Sequence, residues 1–277
     1  MPQKNNKRSL TYLSVTLFVT LLLLARGSGS PWFLEPERKF VAIVTCTKSV
    51  EGWKHTRDTA LQRFLVPSLH ATVTSSERKI YRIELFLAYD SDDTFWTRQQ
   101  YREEIEHSLQ PFKGKFIPVP KIKHSRIPFN EVLQFAYKYG ADYLVRVNDD
   151  SEFITKGWVS QGVNGLSNFK PMNLGVVGPV CEQGNRNILT HDMVHRTHLE
   201  VFPTYYPAEL DNWWVDDWIS QVYGVRNTRK LVGWRMYHHT DMHGRRYNVD
   251  KRQEKALDSL IQIGKERIHI YLKNSGS

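Results

Sequence analysis

The chain has 277 residues, 40% of them apolar and 12% aromatic, with 8 Trp, 13 Tyr and 13 Phe. That is enough to bury the core of one large domain, and it excludes a disordered, collagen-like or coiled-coil chain. The net charge of +9 is concentrated at the start: residues 1–30 hold four cations and no acid, leaving 34 Lys and Arg against 29 acids beyond them. Those later cations are scattered rather than in runs, so no nucleic-acid partner is expected.

Leu10–Ala25 is a 16-residue apolar run without charge, behind a basic, acid-free head. It is longer than the usual signal-peptide core of about 7–15 residues and shorter than the roughly 20 of a comfortable membrane span. The pattern predicts a cytoplasmic tail over 1–9 and a signal-anchor transmembrane helix over 10–25, with a cleaved signal ending near Gly27–Ser30 as the alternative. The basic flank stays cytoplasmic, so the rest enters the secretory lumen. Residues 26–38 are rich in Gly, Ser and Pro and form a linker; 39–277 is a single domain. Cys46 and Cys181 are the only cysteines. A lumenal location permits a bridge between them, and two separate buried thiols are the other reading.

Phe40–Cys46 is a near-continuous β-branched apolar run, as expected of a strand buried on both faces. Thr56–Leu69 has helical spacing, Ile80–Tyr89 is a second strand, and Thr94–Leu109 is a further helix. Lys115–Val119 is a short strand. Pro128–Tyr139 is an amphipathic helix with Pro in its first turn and Gly140 just past its end. Asp142–Val147 and Leu174–Val180 are strands; beyond Val180 the rhythm breaks into aromatic, His-rich loops and short helices, with a last helix near Asp250–Ile263. Strands alternating with helices imply βαβ units and a mostly parallel α/β sheet, whose ligands bind outside the carboxyl ends of the strands.

Three strand ends carry suitable groups. Thr45 and Thr47, beside Lys48, offer hydroxyls to phosphate or ribose oxygens, and Asp90 offers an acceptor to a sugar hydroxyl or a base N–H. Asn148-Asp149-Asp150 puts two carboxylates just past a buried strand, where a hard divalent cation finds oxygen ligands; turn chemistry is the plainer account. In Asn212–Gly224 the acids Asp216 and Asp217 lie among Trp213, Trp214, Trp218 and Tyr223. A carboxylate walled by indoles is partly desolvated and so a better base near neutral pH. His191-Asp-x-x-His195 would place both imidazoles on one helical face, in the manner of a zinc hydrolase.

The order of these motifs over Lys39–Asp250 resembles the GT-A fold of nucleotide-sugar glycosyltransferases. The short tail, single anchor and lumenal domain resemble the type II layout of Golgi enzymes. The resemblance implies a metal-dependent glycosyltransferase using Mn2+ or Mg2+ and a nucleoside-diphosphate sugar, UDP-linked by expectation. Its acceptor is a glycan or glycoprotein hydroxyl, and its place the Golgi or ER membrane. It implies Asp150 and His243 as metal ligands, with His239 and His238 behind His243. Asn148, an Asn where the family usually has Asp, and Asp149 stand beside the metal. Thr45, Thr47, Arg57 and Asp90 would contact the nucleotide, and Arg245 and Arg246 would meet the diphosphate. Asp217, with Asp216 next, would be the base of an inverting transfer. An inactive lumenal carbohydrate-binding protein of the same fold is the alternative, and the zinc-dependent hydrolase a more distant one.

Overall fold

The computed structural model describes residues 38–120, 126–210, 213–244, 246–247 and 251–276. The tail, signal-anchor and most of the linker expected over residues 1–37 lie outside these. Among the described residues no helix is long and apolar enough to cross a membrane.

Four strands open the domain: β1 (Lys39–Thr47), β2 (Tyr81–Asp90), β3 (Lys113–Val119) and β4 (Tyr143–Arg146). They pair in parallel in the order β3-β2-β1-β4. All of β1 after Lys39 is buried, so both of its faces are covered, as its unbroken apolar run requires. Side chains alternate between the faces. Val41 and Ile43 join one core with Leu61, Leu65, Ile105 and Trp158. Phe40, Ala42 and Val44 join the other with Val132, Leu133 and Trp218.

The remaining strands are β5 (Ser151–Phe153), β6 (Val176–Cys181), β7 (Asp192–His195) and β8 (Thr228–His238). They extend the same sheet as β4-β7-β6-β8-β5, with β7 antiparallel to both neighbours and β5 antiparallel to β8. The sheet is therefore mixed, and the expectation of a mostly parallel one holds only for its first half. The stretch after Val180, read as loops, conceals β7 and β8. In β8 the alternation shows only in the second half, where Gly233 and Arg235 are exposed while Trp234 and Met236 are fully buried.

The helices are α1 (Val66–Thr72), α2 (Ser75–Ile80), α3 (Gln99–Leu109), α4 (Phe129–Lys138), α5 (Trp158–Ser167), α6 (His198–Val201), α7 (Val215–Val222) and α8 (Glu254–Asn274). The helix expected over Thr56–Leu69 is broken. A 3-10 turn (Thr56–Asp58) is followed by a π-helical turn (Leu61–Leu65) that runs into α1. Pro67 has no N–H to donate, and its ring displaces a carbonyl one turn back, which a widened turn accommodates. Cys46 and Cys181 are separate buried thiols, not a bridge.

Candidate active site

The chain places β2 and β3 on one side of β1 and β4 on the other, so the order reverses between β1 and β4. Such a reversal leaves a crevice beyond the strand ends. Here the end of β1 delivers Thr47, and the end of β4 delivers Asn148, Asp149 and Asp150.

Asp149 is buried and already occupied. Its Oδ2 accepts from Thr47 Oγ1 (2.7 Å) and from Arg246 Nη1 (2.7 Å), and its Oδ1 accepts from Arg246 Nη2. Burial works against the Arg246 charge, but Asp149 outweighs it and holds the guanidinium firmly protonated. The carboxylate left for a ligand is Asp150. Pairing of β5 with β8 sets Ser151 opposite His238, which brings His238 Nε2 to 3.0 Å from Asp150 Oδ1. Burial alone would raise the Asp150 carboxyl; the close approach of the His238 ring, with the charge of Arg246, outweighs it and holds it below its ordinary value. Asn148 Nδ2 lies 3.0 Å from the same Nε2. One ring nitrogen cannot donate to Asp150 and accept from Asn148 at once.

A cavity of about 400 Å³ opens onto this cluster, lined among others by Cys46, Asp150, Trp213, His238, Arg246 and Tyr247. Burial, with Asp149 behind it, pushes the Cys46 thiol well up. Asp150 Oδ1 is buried and accepts no well-aligned hydrogen bond. A carboxylate oxygen facing an imidazole nitrogen is a donor pair that Mn2+ or Mg2+ takes, with phosphate oxygens and water completing the shell. Among the described residues no group of three or more ligands forms. The residues present thus fit a cation held by Asp150 and His238, with its remaining positions left to other oxygen donors.

The other residues singled out in the sequence take varied places. His243 lies edge-on to Trp53 at 5.0 Å, its Nε2 buried and, among the described residues, without a partner; burial and Arg246 push its imidazole below the usual value. His239 stacks on Phe64 and meets Glu152 at 2.8 Å. Asp90 is buried 3.6 Å from Lys48 and raised by that burial. Thr45 is buried with its hydroxyl unpartnered. Arg57 is exposed on the 3-10 turn and is not among the residues lining the cavity. Arg245 lies outside the described residues.

A second, smaller cavity of about 110 Å³ shares Ile127, Phe129 and Asn148 with the first and is floored by Arg146, Tyr206 and Asp216. Arg146 is almost wholly buried and binds Asp192 (2.9 Å), Asp216 (2.5 Å), Tyr206 Oη (2.7 Å) and the Thr190 carbonyl (2.6 Å). Tyr205 and Tyr206 also donate to Asp192. Burial raises the Asp216 carboxyl, while Arg146 opposes that shift. Asp217, also raised by burial, is absent from the lining of either cavity. The indole wall is only partly as expected. Trp213 lines the larger cavity, whereas Trp218 is core, its Nε1 donating to the Leu260 carbonyl. Trp214 adopts a left-handed φ of 67° at the N-cap of α7, a strained choice for a bulky residue that sets where the first turn, with Asp216, begins.

The zinc-hydrolase alternative fails on geometry. Asp192–His195 is a strand, not a helix, and the imidazoles are engaged separately. His191 Nε2 meets Ser151 Oγ at 2.6 Å, and His195 Nδ1 meets Thr197 Oγ1 at 2.7 Å. Sequence reasoning missed Arg146, Asp192 and the two tyrosines. The signal was an Arg inside the apolar strand DYLVRV, where a charge persists only if it is paired.

No protein-family model matches the chain, and no curated protein matches it. Solved structures do. The mannosyltransferase PcManGT from Pyrobaculum calidifontis, in complex with GDP-Man and Mn2+, aligns over 89% of this chain and 69% of its own, with TM-score 0.53 and 13% identity. S. aureus TarS in complex with UDP-GlcNAc aligns over 82% and 66%, with TM-score 0.55 and 13% identity. GalNAc-T7 with UDP, GalNAc and Mn2+ aligns over 73% of this chain and 44% of its own, with TM-score 0.53 and 11% identity. At such identities the likeness is one of fold, and the fold is the GT-A type of nucleotide-sugar glycosyltransferases.

Proposed function

We propose that the protein is a metal-dependent glycosyltransferase that moves a sugar from a nucleoside-diphosphate sugar to a hydroxyl acceptor, with inversion. The observation that carries this reading is a pair of adjacent cavities with three lining residues in common. One holds Asp150, His238 and Arg246, suited to a diphosphate; the other holds Asp216, and Asn148 lines both. The neighbours' bound UDP, GDP-sugar and Mn2+ support a nucleotide sugar and a cation here.

In this reading Asp150 and His238 hold the cation, which when bound offsets charge on the departing diphosphate. Arg246, fixed by Asp149, presents its remaining surface to the same charge. Thr47 holds Asp149 in place. Asp216 takes the proton of the acceptor hydroxyl as that oxygen attacks the anomeric carbon; the geometry favours it over Asp217, which does not face either cavity. Arg146 fixes the orientation of Asp216 and moderates its basicity. The apolar run at 10–25 is proposed to anchor the enzyme in the Golgi or ER membrane with this domain in the lumen and a glycan or glycoprotein as acceptor.

The test uses the full-length chain with a panel of UDP- and GDP-sugars and simple sugar acceptors. Nucleoside-diphosphate release from one donor is expected with Mn2+, absent with EDTA and in Asp150→Ala. Asp216→Asn is expected to bind that donor normally and to slow transfer by about 10²–10⁴-fold. Because burial raises the Asp216 carboxyl, the acid limb of the rate lies above the ordinary aspartate range: activity falls as pH drops and the base takes up its proton. A folded protein that neither binds nor cleaves any donor would sink the transferase reading in favour of a carbohydrate-binding protein.

A further inference from the structure

At the end of the sheet opposite the catalytic crevice, where β1, β2 and β3 begin, a cavity of about 330 Å³ is lined by Arg38, Arg78, Arg82, Lys113 and Glu84. Four cations surround one carboxylate. Among the described residues, Arg38, Arg78 and Lys113 form no ion pair; Arg38 and Arg78 donate one N–H each to the carbonyls of Arg78 and Val73. Arg82 is committed elsewhere, bonded to Glu84 Oε1 at 3.0 Å and lying 3.7 Å over the Phe40 ring.

Glu84 is the anomaly. Its side chain is 4% exposed, it lies in register with Lys113 of the neighbouring strand, and its Oε2 is buried with no hydrogen-bond partner. A carboxylate oxygen stripped of water and left unbonded is costly, and the excess of positive charge around it is costly as well. One ligand relieves both: an oxyanion for the three unpaired cations, carrying a neighbouring hydroxyl that donates to Glu84.

We propose that this cavity is a binding site for a phosphorylated polyol, separate from the catalytic crevice, with Arg38, Arg78 and Lys113 taking the phosphate and Glu84 Oε2 taking a hydroxyl. Two sources share that chemistry, a free polyol phosphate and the glycerol-phosphate headgroup of an anionic lipid. The headgroup is within reach if residues 10–25 are a membrane anchor, because only the short linker separates them from Arg38. The inference does not rest on the transferase reading.

The test is calorimetric titration of the full-length chain with inorganic phosphate, glycerol 1-phosphate, and the soluble short-chain lipids dihexanoyl phosphatidylglycerol and dihexanoyl phosphatidylcholine. Glycerol 1-phosphate is expected to bind about tenfold more tightly than inorganic phosphate, the worth of one charge-assisted hydrogen bond. The double variant Arg78→Gln/Lys113→Gln weakens both by tenfold or more. Glu84→Gln, the milder change, shrinks the preference between them, because a neutral amide makes only an uncharged hydrogen bond to the hydroxyl, and leaves phosphate itself bound at least as well. Phosphatidylglycerol binding as tightly as glycerol phosphate, with phosphatidylcholine inert, assigns the lipid source; phosphatidylglycerol failing while glycerol phosphate binds assigns the free one. Thermal unfolding followed by circular dichroism, unchanged in all variants, reports that they are folded. No binding by the parent chain, binding indifferent to the double variant, or a preference undiminished by Glu84→Gln would each overturn the proposal.

Discussion

Arg146 holds a full charge inside a strand whose other residues are apolar, and its partners decide whether that is tolerable. Burial opposes the charge; Tyr206, Asp216 and Asp192 outweigh it. Asp192 is itself completely buried, so removing the guanidinium strands a carboxylate with only tyrosine hydroxyls for company. Arg146→Met is expected to cost about 3–5 kcal/mol in urea denaturation, and pairing it with Asp192→Leu to recover much of that. The charge was visible in the sequence as an Arg within DYLVRV, but its partners were not. They come from positions 46, 60 and 70 residues further along, and no local periodicity encodes such contacts.

Among the elements, α7 and α8 meet through a glycine. A Cβ at Gly264 would collide with Val222 Cγ2 and press on Trp218 at 3.3 Å. Alanine brings up to about 1 kcal/mol of helix propensity, but overpacking a fixed interface costs about 1–3 kcal/mol. The collision wins: Gly264→Ala is expected to lower stability by about 1–2 kcal/mol, read as a drop of several degrees in Tm. The elements legible in the sequence were those whose apolar residues follow one period. β1, β2, β4 and α4 emerged within a residue or two of their observed bounds, because both strand faces, or one helix stripe, meet core. β7 and β8 did not, because Asp192, Arg229, Lys230 and Arg235 interrupt their alternation. The proximity of His238 to Asp150 was hidden for the same reason: without β8, nothing told His238 from His239 or His243, and only its pairing with Ser151 carries it to Asp150. Asp150, Thr47 and Asp216 were legible as candidates because they stand at or just past the end of a strand or in the first turn of a helix, whereas Arg246 was singled out only through the family resemblance.

At the scale of the molecule, buried neutral histidines tie stability to pH. His198 Nε2 lies 2.8 Å from the Tyr205 carbonyl and must donate, so Nδ1 accepts from Tyr223 Oη at 2.7 Å. Burial lowers its imidazole to about 4. Between the unfolded value near 6.5 and about 4, the unfolded chain binds a proton that the folded chain refuses. Stability from this residue is full above about pH 6.5 and lost as pH falls toward 4, by about 3 kcal/mol. His191 and His195 are shifted in the same direction, also by burial. The free energy of unfolding, measured from pH 7 down to 4, is expected to fall more steeply for the parent chain than for His198→Gln.

The bonded set of Arg146, Asp192, Tyr206 and Asp216 also bears on ancestry. No member can change alone without leaving a stranded charge or an empty bond, so drift at any one position is barred until another has moved. Lineages descending from this chain would therefore keep the four as a block or abandon them together, and the acid facing the smaller cavity would be inherited with its support rather than by itself.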